Sequence, residues 1–176
     1  MKRITTSYSD SEDRIRLTAL TDQDTPLILW LTRRLMDRLI PQLCAWLEPP
    51  KSTGPNATRN TPDADLQQTL NRLTQQRLRT TSEPVPPVTS TPETRSHLVH
   101  SIDITKHPNW IRLTFKDQTG HPFGVLVLEP VPLRQWLNIF YDQYRAAQWS
   151  TAAWPEWMTG QGIEVGVIAG QEVVWH

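Results

Sequence analysis

Apolar and polar residues alternate in two stretches of the chain that share the tetrapeptide Ile-Arg-Leu-Thr. It occupies residues 15–18 and returns at residues 111–114. Alternation with a period of two predicts β-strands that bury one face and leave the other in water. Each copy is followed at the same distance by a proline, Pro26 or Pro122, and then by an apolar run without alternation. Unbroken apolar strands are typical of a sheet that is covered on both faces.

An amphipathic helix is predicted after each apolar run. The first covers about residues 31–47, where leucines line one side and arginines the other, and Pro41 predicts a kink or break near residues 39 and 40. The second covers about residues 132–149, with an apolar stripe at the spacing of a core-facing helix. In both halves the predicted order is therefore three strands and a helix. The predicted strands are residues 4–8, 14–20, 26–31, 99–105, 110–116 and 123–128.

The repeated order predicts an α+β fold with antiparallel sheets. We expect two pseudo-symmetric strand-strand-strand-helix units to share one core, since each unit alone would leave part of its sheet uncovered. The predicted segments are a first unit (1–48), a Pro/Thr-rich linker (49–96), a second unit (97–150) and a Trp-rich tail (151–176). A hairpin is expected at the end of this tail, because residues 163–168 and 172–175 flank a turn at Ala169-Gly170-Gln171.

The linker contains one predicted helix. Pro62 suits the first helical position, and Leu66, Leu70 and Leu73 follow at helical spacing. A helix with so few apolar anchors is marginal alone. It therefore either docks onto the rest of the chain or becomes ordered when a partner binds.

Tryptophans are concentrated near the C-terminal end of the chain. Of eight in total, Trp149, Trp154, Trp157 and Trp175 fall within the last 28 residues. These side chains either cap the core or dock on another protein, and the sequence leaves both alternatives open. The candidate protein-binding residues are Trp149, Trp154, Trp157, Leu66, Leu70 and Leu73.

Charge and cysteine content narrow the functional classes. Lys+Arg and Asp+Glu are equal at 18 each, so no overall field attracts nucleic acid or an acidic membrane. The single cysteine, Cys44, fits a reducing compartment, and neither a secretory leader nor a membrane span is predicted. The expected location is the cytoplasm, and the oligomeric state is not predicted.

No sequence motif indicates catalysis. The chain lacks a glycine-rich phosphate loop, a nucleophile elbow, an HExxH helix and a CxxC pair. We therefore expect no catalytic residue, no cofactor and no metal site. The favoured function is a non-catalytic protein-binding or assembly protein that acts through its aromatic C-terminal surface and a flexible linker arm.

The duplicated strand-rich units, each ending in one helix, resemble the tandem repeats of the PUR family and the related Whirly-type fold. The resemblance covers about residues 3–48 and 99–149 and depends on element order. It implies binding of single-stranded DNA or RNA along the sheet, where basic and aromatic side chains contact phosphates and bases. The residues that would carry this alternative function are Arg16, Thr18, Trp110, Arg112, Thr114 and Lys116.

Overall fold

The fold was obtained as a computed structural model, which describes residues 1–48, 62–81 and 86–159. Within these residues, seven strands and four helices follow one another along the chain. They are β1 (Arg3–Ser9), β2 (Arg14–Leu20), β3 (Pro26–Thr32), α1 (Arg33–Leu47), α2 (Pro62–Thr81), β4 (Arg95–Leu98), β5 (Ser101–Lys106), β6 (Ile111–Lys116), β7 (Pro122–Leu128), α3 (Pro130–Ala146) and α4 (Glu156–Thr159). The terminal hairpin predicted in the tail lies outside the described residues.

The strands form two sheets. The first sheet has the order β1-β2-β3-β4 and the second has the order β5-β6-β7. All neighbours are antiparallel except β3 and β4, which are parallel. The predicted α+β class with antiparallel-rich sheets is therefore confirmed. The approximate twofold symmetry between the units stays a prediction.

Strand β4 was not predicted, and it joins the two sheets. The Val99 N–H donates to the carbonyl of Trp30 (2.9 Å) in the first sheet, and the next N–H, that of His100, donates to Lys116 (2.9 Å) in the second. The sequence Arg-Ser-His-Leu of β4 has no apolar alternation, so only its pairing with β3 reveals it. The first sheet consequently includes residues that the sequence assigned to the linker and the second unit.

One core unites the two halves. The inward-facing residues of the central strands, Ile15 and Leu17 in β2 and Ile111 and Leu113 in β6, are completely buried in the same cluster. Helix α3 reaches the first sheet, because the Trp136 indole donates to Thr6 Oγ1 (3.0 Å). Residues near the C-terminal end of α1 reach the opposite half in the same way, through Trp46 and the carbonyl of His107 (3.0 Å).

Helix α1 continues through Pro41 without a break. Of the kink or break predicted there, the break was wrong and the kink stays a prediction. The helix begins after Thr32, whose Oγ1 accepts a hydrogen bond from the N–H of Leu35 (3.3 Å) and caps the first turn. Burial of Met36, Leu39, Ile40 and Leu43 on the core side stabilises the helix across the missing donor. Within the described residues, no helix combines the length and the apolar character needed to cross a membrane.

Candidate interaction surfaces

Helix α2 is attached to the body of the protein by polar side chains. Gln75 is buried, and its Nε2 donates to the carbonyl of Arg134 (2.8 Å) and to Oδ1 of Asn138 (2.7 Å). The guanidinium of Arg134 donates in return to Gln75 Oε1 (3.3 Å) and to Asn71 Oδ1 (2.8 Å). The contact between α2 and α3 therefore depends on directional hydrogen bonds between buried groups.

Arg134 is the centre of this contact. Its guanidinium carbon lies over the ring of Trp157, 5.0 Å from the ring centre, which is a cation–π interaction. Burial lowers the pKa of Arg134 from its ordinary value. The side chain still keeps its proton at neutral pH, because an arginine is not deprotonated in proteins under ordinary conditions. Helix α2 thus supplies two hydrogen-bond acceptors, on Gln75 and Asn71, to the buried cation of Arg134.

The leucine stripe of α2 lies on the side opposite to this contact. Leu66, Leu70 and Leu73 remain 55%, 47% and 56% exposed. Positions 71, 75 and 78 share the docked side, since four and seven residues bring a helix back to the same face. The sequence identified the helix and its leucines correctly, but the structure docks it through the polar side. The exposed stripe of Leu66, Leu70 and Leu73 is called the leucine face below.

The three candidate tryptophans near the C-terminal end of the chain are buried, unlike the leucines. Trp149 donates to Asp13 Oδ1 (2.8 Å), Trp157 donates to Glu48 Oε1 (3.1 Å), and Trp154 packs edge-on against Tyr144 at 5.2 Å between ring centres. The sequence left open whether these tryptophans cover the core or bind another protein, and the structure shows that they cover the core. This is a correction to the predicted aromatic binding surface, because side chains enclosed in this way do not contact a partner.

The predicted nucleic-acid residues of the first sheet lie beneath another segment of the chain. Residues 86–94, which we call the strap, cross the outer face of this sheet: the guanidinium of Arg3 donates to the carbonyl of Pro86, the Val88 N–H donates to Thr5 Oγ1 (2.7 Å), and Arg16 donates to Ser90 Oγ (2.7 Å). Thr18 is only 6% exposed. The expectation that this face is exposed to water was wrong for Thr18, because the strap binds to Thr5, the neighbour of Thr18 on the adjacent strand.

The corresponding residues of the second sheet remain accessible. Arg112 is exposed and lies 5.4 Å from the ring centre of Trp110, which also stacks on His107 at 4.8 Å. Thr114 is half-buried, and Lys116 forms an ion pair with Asp103. The structure therefore divides the six predicted residues into a covered set and an accessible set on different sheets.

Metal binding and thiol chemistry depend on the His, Cys, Asp and Glu side chains of the described ranges. The described residues contain no group of three or more His, Cys, Asp or Glu residues that could hold a metal ion. A shallow pocket of about 220 Å³ between α1 and the tail includes Cys44 and Glu48. Burial raises the pKa of the Cys44 thiol to about 12, so the sulfur stays protonated and weakly nucleophilic at neutral pH.

Comparisons with known proteins do not assign the chain to a family. No family of known sequences, no curated protein and no solved structure matches it.

Proposed function

We propose that this protein is a non-catalytic protein-binding or assembly protein and that it contacts its partner through the leucine face of α2. The observation that carries the proposal is the orientation of this helix, which hides amide side chains and presents three leucines to solvent. The role needs no cofactor and is compatible with the cytoplasmic location expected from the sequence.

The orientation is unusual on energetic grounds. Burying a leucine side chain contributes about 1.5–3 kcal/mol relative to leaving it exposed, and a helix normally turns such residues toward its own core. The core side of α2 instead carries Gln75, which fits the donors and acceptors of Arg134 and Asn138. The leucine face therefore has the character of a surface that becomes covered in a complex.

The spacing of the leucines indicates what kind of partner fits. Residues 66, 70 and 73 form one straight stripe along the helix, which is the arrangement by which an amphipathic helix packs against another helix or fills an apolar groove. Leucines provide no donors for phosphate, and the chain as a whole carries no net charge. An apolar protein surface is accordingly favoured over nucleic acid.

The proposal can be tested by photo-crosslinking followed by direct binding. A benzophenone side chain at position 70 of the full chain is expected to give one dominant adduct in cells, and the protein in that adduct is then purified. Leu70→Gln together with Leu73→Gln should weaken its binding by about tenfold or more, because the exposed apolar contact is lost.

The control is Ile139→Gln on α3, since Ile139 is an apolar helix residue of similar exposure, 42%. It should leave binding unchanged. Equal binding by the wild type and the double variant would contradict the proposal.

Single-stranded nucleic-acid binding is the second candidate, and the PUR/Whirly resemblance suggests it. The favourable observation is the cluster of Trp110, Arg112 and His107, which places a cation beside stacked rings at the turn between β5 and β6. Affinity for an unstructured oligonucleotide should then fall with added salt and be lost in Arg112→Glu. A salt-independent or unchanged affinity would reject this function.

A further inference from the structure

The outer faces of the two sheets can be matched position by position through their hydrogen-bond register. In the first sheet, Thr18 is opposite Ile28 and Arg16 is opposite Trp30. In the second sheet, the repeated Thr114 is opposite Val125 and Arg112 is opposite Val127. Each outer face therefore has the same plan, in which an arginine and a threonine of the central strand lie beside two apolar residues of the next strand. The four matched positions are Arg112, Thr114, Val125 and Val127 in the second sheet.

The strap covers one of these faces. Thr18 and Ile28 are 6% and 7% exposed, and Arg16 is bonded to Ser90 of the strap. On the second sheet, by contrast, Val125 and Val127 are 42% and 49% exposed. Val125 and Val127 therefore form an exposed apolar surface, whereas at the equivalent positions of the first sheet Ile28 is buried and Trp30 is half-buried.

We infer that the outer face of the second sheet binds an extended, proline- and hydroxyl-rich segment of a partner protein, as the equivalent face of the first sheet binds the strap. The strap shows which chemistry this type of face accepts. Its sequence, Pro-Pro-Val-Thr-Ser-Thr-Pro-Glu-Thr, combines extended proline conformers with hydroxyl acceptors and one apolar side chain. Such a segment loses little conformational freedom on binding, because proline already restricts it.

The polar groups of the bare face suit the same kind of ligand. In the first sheet, Thr5 is opposite Thr18 and accepts a backbone N–H from the strap. Asp103 occupies the corresponding place opposite Thr114, and its carboxylate is also an acceptor for a backbone N–H. Arg112, like Arg16, offers donors to a hydroxyl or a carbonyl oxygen.

Charge is complementary as well. The bare face carries Arg112, Lys116 and Asp103, and hence one formal positive charge, whereas a segment composed like the strap carries one negative charge from Glu93. A polyphosphate backbone would meet the carboxylate of Asp103 and two valines. The surface therefore favours a peptide over nucleic acid, independently of what the leucine face of α2 contacts.

The probe for this inference is a fluorescein-labelled peptide with the sequence of residues 86–94, titrated into the full-length chain and followed by anisotropy. We expect saturable binding that Val127→Asp weakens by about tenfold or more, since a carboxylate replaces an apolar contact. Arg112→Ala should weaken binding to a smaller extent. Ile139→Asp is the matched control, because it introduces the same charge at an exposed apolar residue of α3 and should leave the affinity unchanged.

Four results would overturn the inference. The first is the absence of saturable binding by a folded chain. The second is binding that is lost in Arg16→Ala but kept in Val127→Asp, which would show that the peptide had replaced the strap on the first sheet. The third is a peptide-free dimer that Val127→Asp dissociates, which would identify the occupant as a second copy of this chain. The fourth is competition by an oligonucleotide for the site that is sensitive to Val127→Asp, which would identify nucleic acid as the ligand.

Discussion

The outer faces of the first and second sheets share an arrangement of side chains but differ in what covers them. The first is crossed by the strap and buries Thr18 and Ile28, whereas the second leaves Val125 and Val127 in water. The inward faces of the same two sheets show no such difference, since the central residues of both are fully buried. The strands that carry the repeated tetrapeptide thus contribute in the same way to the core, whereas residues 86–94 cover the outer face of the first sheet alone.

The difference shows how a linker can acquire a structural role. Residues 86–94 have the composition of a flexible connection, yet they bind through three side chains spread over β1 and β2. The strap covers the outer face of the first sheet, and the proposed external segment would cover the exposed outer face of the second. Four predictions test this comparison, in order of decreasing effect.

The largest effects are expected where the two halves agree. Leu17→Ala and Leu113→Ala each remove a completely buried side chain from equivalent central strands. Both should lower the free energy of unfolding by about 2–5 kcal/mol, through lost burial and the cavity that remains. Chemical denaturation of both variants provides the measurement. A loss in one half only would show that the two strands do not contribute to one cooperative core.

The second prediction concerns the apolar positions at which the faces differ. Ile28→Ala should cost about 2–3 kcal/mol, since Ile28 is buried on the covered face, whereas Val125→Ala should change stability by no more than about 0.5 kcal/mol. Thermal unfolding of the matched pair separates these values. Similar costs for the two substitutions would mean that the strap does not distinguish the faces in solution.

Much of this fold could be predicted from the sequence, because period and composition act locally. Strands β1 to β3, strands β5 to β7 and the helices α2 and α3 all follow from sequence patterns within a few residues. The prediction that β3 and β7 are each covered on both faces was less successful, because the outer face of β7 is exposed at Val125 and Val127. The reason is a shift in the pairing of β6 with β7: Lys116 is opposite Pro122, but Phe115 is opposite Gly124. The shift of one residue turns Val125 and Val127 toward the outer face. In the aligned repeat, these two valines match positions of β3 that are buried.

The candidate surfaces were less predictable than the fold. The sequence named Leu66, Leu70 and Leu73 correctly as a helical stripe, but the burial of Gln75 beside Arg134 depends on tertiary contacts without a local pattern. The prolines and hydroxyl residues of the strap predict an extended segment but not its contact with a sheet. Its site of attachment is set by residues more than 70 positions away, such as Arg16.

The third prediction addresses the hydrogen bond that ties the strap to the first sheet. Arg16→Ala removes the bond to Ser90 and the cation beside Trp30, and should destabilise the protein by roughly 1 kcal/mol. Hydrogen exchange should also become faster at Val88, since its N–H is bonded to the same face. Arg112→Ala is the matched control and should change stability by less than about 0.5 kcal/mol, because no strap covers it. Equal protection of Val88 in both variants would contradict a role for Arg16 in holding the strap.

The smallest effect is a pH dependence at the turn between β1 and β2, on the side of the covered sheet. Hydrogen bonds from Trp149 and Tyr8 lower the pKa of Asp13 below its ordinary value. Because the folded-state pKa lies below the unfolded one, the stabilisation is present above the unfolded pKa and is lost as the pH falls through the folded pKa. Asp13→Asn should therefore reduce the loss of stability on acidification below about pH 4, where an unfolded aspartate titrates. Asparagine also tolerates the positive φ of 46° at this position, so the backbone is preserved.

The measurement is the denaturation midpoint across the acid range, with Asp10→Asn as a control in the same turn. An identical acid profile in the wild type and Asp13→Asn would show that the hydrogen bonds from Trp149 and Tyr8 to Asp13 do not contribute to the pH dependence of stability.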